Sequence, residues 1–426
     1  MPTRQISDSR FVSRKLCAVL SNAIICLLGL TLISSLQAQT FTVLHTFTGP
    51  DGVFPTGSLA MDGAGNLYGT NRGSIVYELL AGRSWVLSPL YRFQAGSDGW
   101  DPQGGVVFGP GGLYGTTWNG GGQGCDLSGC GTVFRLRPPG TAPKSALTPW
   151  NETVIYRFQG TPDGQNPAYG ALVSDASGAA YGTTEFGGNQ LGCSRSSCGT
   201  VYKLTPSGGN WTESVLYAFA GDPDGAQPIG GVVFDNAGNL YGTTFQGGTY
   251  GHGTVFQLTP STGGWTKTIL HEFTGGDDGG QPVASLTRDS SGNFYGTTNL
   301  GGAGGGTVFE ITPAGGGWTF SVLHAFIGGY GSGPAAPVAT DAGGNLYGTT
   351  FGTGTYNGGV VFKLSPSGSG WTYNVLHEFT WGADGAQPSG QILIAPSGSL
   401  YGTTYEGGDL SKCGGSGCGV VWQITP

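Results

Sequence analysis

The chain has 426 residues, a formal charge of −8, 85 glycines and only 10% charged residues. Aromatic residues at 12% exclude a disordered glycine-rich tail. The acidic balance argues against nucleic acid as a partner, because it repels phosphate backbones.

Residues 1–38 read as a secretory signal peptide. Arg10, Arg14 and Lys15 precede an apolar run from Leu16 to Leu36, and Ala38 offers a small residue for cleavage. A membrane anchor is the alternative, since the run approaches the roughly 20 residues that span a bilayer. Removing the segment leaves 13 basic and 24 acidic residues, a charge of −11. The expectation is a secreted protein, extracellular or periplasmic, with no membrane contact after cleavage. Residues 39–426 would form its one domain.

The next segment, Phe41 to Phe47, is a lone strand candidate. After it the tetrapeptide Tyr-Gly-Thr-Thr, or a close variant, begins at Tyr68, Tyr114, Tyr181, Tyr241, Tyr295, Tyr347 and Tyr401. Seven copies spaced 46 to 67 residues apart define an internal repeat. Each unit runs D-G-x-x-P, a short apolar stretch such as Gly231 to Asp235, and G-N-L-Y-G-T-T. A glycine-rich loop, G-T-V-F-x-L-T-P, a Trp and V-L-[HY]-x-F follow. That is four short strand candidates bounded by Gly, Pro and Asn/Asp turns, with no helical period. Four strands per unit, repeated seven times, predict an all-β seven-bladed β-propeller. The chain stops at Val420 to Pro426, a third strand without a fourth. Phe41 to Phe47 is a fourth strand without the other three, so it is expected to complete the last blade and close the ring.

Cys17 and Cys26 fall in the signal segment. The other six cysteines form C-x4-C pairs, Cys125/Cys130, Cys193/Cys198 and Cys413/Cys418, each just before a G-[TV]-V-[FYW] strand. Zinc knuckles are tighter and recruit further His or Cys, and none lies nearby. Three local disulfides are therefore expected, each contributing about 2 kcal/mol by closing a small loop.

The units G-N-L-Y-G-T-T-x-x-G-G and G-T-V-F-x-L-T-P resemble the bacterial GloVer tandem-repeat family, the choice-of-anchor repeat proteins. The resemblance covers the whole chain after the signal. It implies an exported repeat protein, often held at the surface by a C-terminal anchor, and brings no catalytic residues. This chain ends at Pro426 without a hydrophobic tail, so free secretion is expected rather than anchoring.

Two residue sets recur. His45, His271, His324 and His377 share one repeat position with Tyr91, Tyr156 and Tyr217. They fall on the outermost strands of different blades, so they cannot converge on a metal and read as polar-tipped packing residues. His252 stands alone in a loop and reads as solvated. Asp51, Asp98, Asp163, Asp224, Asp278 and Asp384 open D-G-x-x-P, where Asp before Gly accepts backbone N–H bonds in a turn. Calcium is the alternative, but no unit carries a D-x-D-x-D-G ligand run. No cofactor, nucleophilic triad or metal motif is expected.

Positions that differ between units are free to serve a ligand. The residue after Tyr-Gly-Thr-Thr is Arg72, Trp118, Glu185, Phe245, Asn299, Phe351 or Tyr405. It shares one face with the D-G-x-x-P loops, because successive strands are antiparallel. On that face blade 1 has the shortest loop, Asn71 to Gly73, between two disulfide-stapled ones. A groove over blade 1 is therefore expected, with Phe54, Arg72, Trp100, Asp101, Trp118 and Tyr405, and Trp381 one blade further round. These residues suit sugar stacking and hydroxyl recognition; the alternative is that the aromatics fill space beneath the loops. A monomeric binding or scaffold module for glycan or protein ligands is the expected function. An extracellular polysaccharide hydrolase or lyase is the competing class.

Overall fold

The computed structural model describes residues 39–426 except 83, 123, 126–127, 141–148, 168, 189–191, 194–196 and 330. The expected signal segment lies outside the described residues. So does most of the connection between Pro138 and Trp150.

Seven antiparallel sheets form the blades of the propeller. Blade 4 is representative. Val233–Phe234 is innermost, followed by Leu240–Thr244, Thr254–Ser261 and the outermost Gly264–Glu272. The ring closes as expected. Thr40–Thr46 takes the outer place in blade 7 beside Val420–Thr425, and the Phe47 amide donates to the Gly419 carbonyl at 3.0 Å. Blade 3 departs from the plan. Its inner strand is split into Gly164–Pro167 and Val173–Ser174, both paired with Ala180–Gly187.

The repeat motif is explained residue by residue. In G-N-L-Y-G-T-T the Tyr hydroxyl donates to the aspartate of the preceding turn, as in Tyr241 to Asp235 at 3.0 Å. That aspartate also accepts the Ala237 and Asn239 amides. The glycine leaves room for the aromatic ring of the third strand: a Cβ on Gly242 would lie 2.7 Å from the Phe256 ring. The first Thr reaches the next blade, as Thr183 to the Gly230 carbonyl at 2.8 Å. The second Thr bonds its own third strand, as Thr244 to Thr254 at 2.9 Å. Each of seven apolar clusters combines residues of two neighbouring blades. The core therefore lies between blades, and the ring is the folding unit.

Candidate functional site

The loop face is built by one recurring hydrogen-bond scheme. The amide of the residue after Tyr-Gly-Thr-Thr donates to the residue before the loop proline, as in Phe245 to Gln227 at 2.9 Å and Arg72 to Phe54 at 3.2 Å. The pre-proline amide in turn reaches the preceding blade: Phe54 to Cys418, Asn166 to Cys130, Gln227 to Cys198 and Gln281 to His252. This reach requires the left-handed region, with φ between 53° and 60° at Phe54, Asp101, Asn166, Gln227, Gln281 and Gln387. Asn and Asp tolerate that region; a bulky Phe54 there is unusual.

The three disulfides form as expected, with Cα separations of 5.3, 5.6 and 5.4 Å. Each second cysteine carries the carbonyl that anchors the next blade's loop. His252 occupies the same slot. Contrary to the expectation of a solvated side chain it is half-buried. A Cβ on Gly275 would sit 2.6 Å from its ring, and its Nδ1 is buried without a hydrogen bond.

The histidines do not converge, as expected. His45, His271 and His377 each bond the repeat aspartate at 2.9 to 3.2 Å. Tyr91, Tyr156 and Tyr217 do the same. The aspartates also accept turn amides, such as Thr48 to Asp51 at 2.8 Å. Among the described residues no cluster of three or more His, Cys, Asp or Glu could hold a metal.

The concavity on this face is a cavity of about 690 Å³. Arg72, Phe245, Asn299, Phe351 and Tyr405 stand around it. Its walls are small or apolar, among them Ile229, Val232, Val283 and Leu286. The inner-strand position is Ser58, Gly105, Ala171, Gly231, Ser285 and Pro337 in blades 1 to 6, and these short side chains leave the axis open. Blade 7 has Gln391 there. Its amide crosses to the Thr287 hydroxyl at 3.2 Å and the Val338 carbonyl at 2.8 Å, forming part of the floor.

One sector of the rim is polar. Arg72 Nη1 donates to the Tyr405 hydroxyl at 3.2 Å, and Nε lies 3.6 Å from Asp101 Oδ1. Asp101 is buried and accepts the Gln103 amide at 2.7 Å. Phe54 stacks on Tyr405 with centroids 4.8 Å apart. Partial burial disfavours the Arg72 charge, but the Tyr405 hydroxyl and Asp101 outweigh it and hold the guanidinium above its ordinary pKa. Burial, reinforced by Glu185 and opposed by Arg72, raises the Tyr169 phenol. Burial also raises the Glu185 carboxyl; the Trp118 indole, facing it without closing a hydrogen bond, pulls the other way.

The expected residues are thus only partly brought together. Phe54, Arg72, Asp101 and Tyr405 form one contact chain at the cavity. Trp100, 44% exposed, pairs through its backbone with Asn119 and does not line the cavity. Trp118 faces Glu185, and Trp381 lies at the outer start of its loop with φ 63°; neither lines the cavity. The cavity opens on the ring axis, not over blade 1. The sequence reading missed Tyr169 and Gln391. Tyr169 was marked by one extra residue between Pro167 and Asp175, compared with Pro228 to Asp235. Gln391 was marked as the one long side chain at the small inner position.

The Gloeobacter/Verrucomicrobia repeat model matches three overlapping stretches, residues 31–193, 71–266 and 192–416. The chain belongs to this repeat family. Among curated proteins nothing matches. Among solved structures, the WD40 β-propeller domain of Doa1 is similar, with TM-score 0.51 and 12% identity over 91% of this chain and 97% of that one. A glucose dehydrogenase aligns with TM-score 0.48 and 16% identity over 91% and 99%. The PQQ-bound aldose sugar dehydrogenase of Streptomyces coelicolor gives 0.44 and 13% over 91% and 98%. At these identities the likeness shows the propeller fold alone. Among the seven units of this chain, blade 1 is the one with Asn71 where the second Thr stands, followed by Arg72.

Proposed function

We propose that this repeat propeller is an exported binding module whose ligand enters the axial cavity from the loop face. The observation that carries the reading is the cavity itself: about 690 Å³, largely apolar walls and a few polar groups, the Arg72 guanidinium among them, the usual make-up of a small-molecule site. No carboxylate lines it among the described residues, so binding has more support there than hydrolysis by a carboxylate pair. A glycan surface is the second reading, favoured by Trp100 standing exposed on the same face.

The test is a thermal-shift screen of the exported protein against small molecules and neutral and acidic oligosaccharides, followed by titration calorimetry of hits. Ala335 is exposed and lines the cavity. Ala335→Trp should block cavity ligands and spare any that stack on Trp100, whereas Trp100→Ala should do the reverse. Hits unaffected by Ala335→Trp would refute the axial site.

A further inference from the structure

We infer that the axial pocket selects a monocarboxylate with an apolar ring or chain, held by the guanidinium of Arg72; the inference rests on the pocket being the binding site. Among the described residues Arg72 is the single charged side chain lining the cavity. A guanidinium offers five donors in a planar fork matched to a carboxylate. Here it makes two loose contacts, 3.2 Å to the Tyr405 hydroxyl and 3.6 Å to Asp101. Close charge-assisted bonds are about 2.7–2.9 Å. Its side chain keeps 40% exposure, so the fork has donors left for an incoming anion.

Asp101 cannot swing out to use them. Gln103 holds its carboxylate, and its own amide donates to the Ser74 hydroxyl at 3.3 Å. Two phenols flank the guanidinium, Tyr405 and the 45% exposed Tyr169. Both can donate to a carboxylate oxygen. In ring order Phe245, Asn299 and Phe351 belong to blades 4, 5 and 6; blades 4 and 5 lie across the axis from blade 1, and their Ile229, Val283 and Leu286 line the cavity there. The cation and its phenol donors thus lie on one side, and the other is largely apolar, with Asn299 as the polar side chain on its rim. A carboxylate head with an apolar body satisfies both; a neutral polyol can bond Thr56, Ser58, Ser285 and Ser389 of the lining, but it brings no charge to the guanidinium fork and sets hydroxyls against the apolar wall.

The experiment titrates benzoate, 1-naphthoate and decanoate, their primary amides, and glucuronate into the exported protein by calorimetry. At least one apolar carboxylate should bind ten-fold or more tighter than its amide. That preference should shrink at 0.5 M NaCl. Arg72→Gln should abolish the preference and Arg72→Lys keep part of it. Arg72→Gln/Asp101→Asn removes both charges and serves if the single variant is unstable; it too should lose the preference. Equal binding of acids and amides, a preference that survives Arg72→Gln, or glucuronate binding more tightly than every apolar carboxylate overturns the inference. Neutral ligands that bind and are blocked by Ala335→Trp, with no acid preferred, would leave the axial site standing while this inference fails. If nothing binds, this inference fails, and the axial site is decided by the thermal-shift screen.

Discussion

Glu152 and Glu213 occupy the same position on the outer strands of blades 2 and 3, each facing the Tyr–Asp pair of the preceding blade. Burial, reinforced by Asp98, pushes the Glu152 carboxyl up to about 7, with Arg157 opposing. Burial and Asp163 push Glu213 to about 7 as well. One Oε1 of each is buried without a hydrogen bond. A carboxyl raised in the fold is neutral there while it would ionise in the unfolded chain. Its neutral form therefore costs nothing below about pH 4.5, and stability is lost as pH rises from there through 7. One pH unit corresponds to about 1.4 kcal/mol, so the full displacement would amount to about 3 kcal/mol per group. Both groups keep some solvent contact, which reduces this to about 1–2 kcal/mol each. The assay is urea unfolding at pH 5 and pH 8 of the wild type and the Glu152→Gln/Glu213→Gln variant. Burial lowers the pKa of His271, His324 and His377 and gives an opposing slope, so only the difference between the two proteins is diagnostic. The wild type should lose about 2–4 kcal/mol more than the variant between the two pH values. Equal losses would refute the reasoning.

The Tyr77 and Tyr202 hydroxyls are fully buried without partners, at a position that is Phe134, Phe256, Phe309 and Phe362 in other blades. Tyr77→Phe and Tyr202→Phe should leave stability unchanged or raise it by up to about 1 kcal/mol in urea melts, and a clear loss would show a hidden partner. Removing a disulfide by Cys125→Ser/Cys130→Ser should cost about 2 kcal/mol. It should also speed amide exchange at Asn166, whose N–H bonds the Cys130 carbonyl; unchanged exchange would separate the staple from the loop it anchors. Phe54→Asn relieves a left-handed φ of 54° and should raise stability by about 1 kcal/mol in urea melts; a loss would show that the stacking on Tyr405 outweighs the strain.

The propeller was legible because each blade repeats the same local chemistry, and seven copies of one turn, one glycine and two threonines leave little freedom. Ring closure was legible because the two chain ends carried complementary parts of one unit. The axial pocket was not. Its lining comes from six blades, and what makes it is the absence of bulk at Gly231, Ser285 and their equivalents, which a sequence shows only as unremarkable small residues. Trp100, Trp118 and Trp381 drew attention as unusual aromatics. Their backbone positions, though, set them back from the axis, and only Arg72 and Tyr405 of the expected residues line the pocket.

The recurring His/Tyr position shows how far a repeat can be read once the neighbouring blade is known. For His271, His324 and His377 the residue facing it from the next blade is Phe320, Tyr373 or Phe41, stacked at 3.7 to 4.2 Å, and blade 1 has Leu87 at that position beside His45. Where it is Tyr, the facing residue is charged: Glu152, Glu213 or Lys267. Lys267 lies 2.6 Å from Asp224 and over the Tyr217 ring. A neutral imidazole presents a flat face that an aromatic ring can cover, whereas a phenol beside a half-buried aspartate sits in a field that a lysine relieves and a glutamate worsens. The lysine solution in blade 4 satisfies its aspartate. The glutamates of blades 2 and 3 leave theirs facing a second acid, so the loss of stability at rising pH should concentrate at the interfaces of blades 1, 2 and 3. Arg72, Asp101 and Tyr169 come from the same three blades, so a pH-dependent loosening of those interfaces would reach the polar side of the pocket before its apolar side.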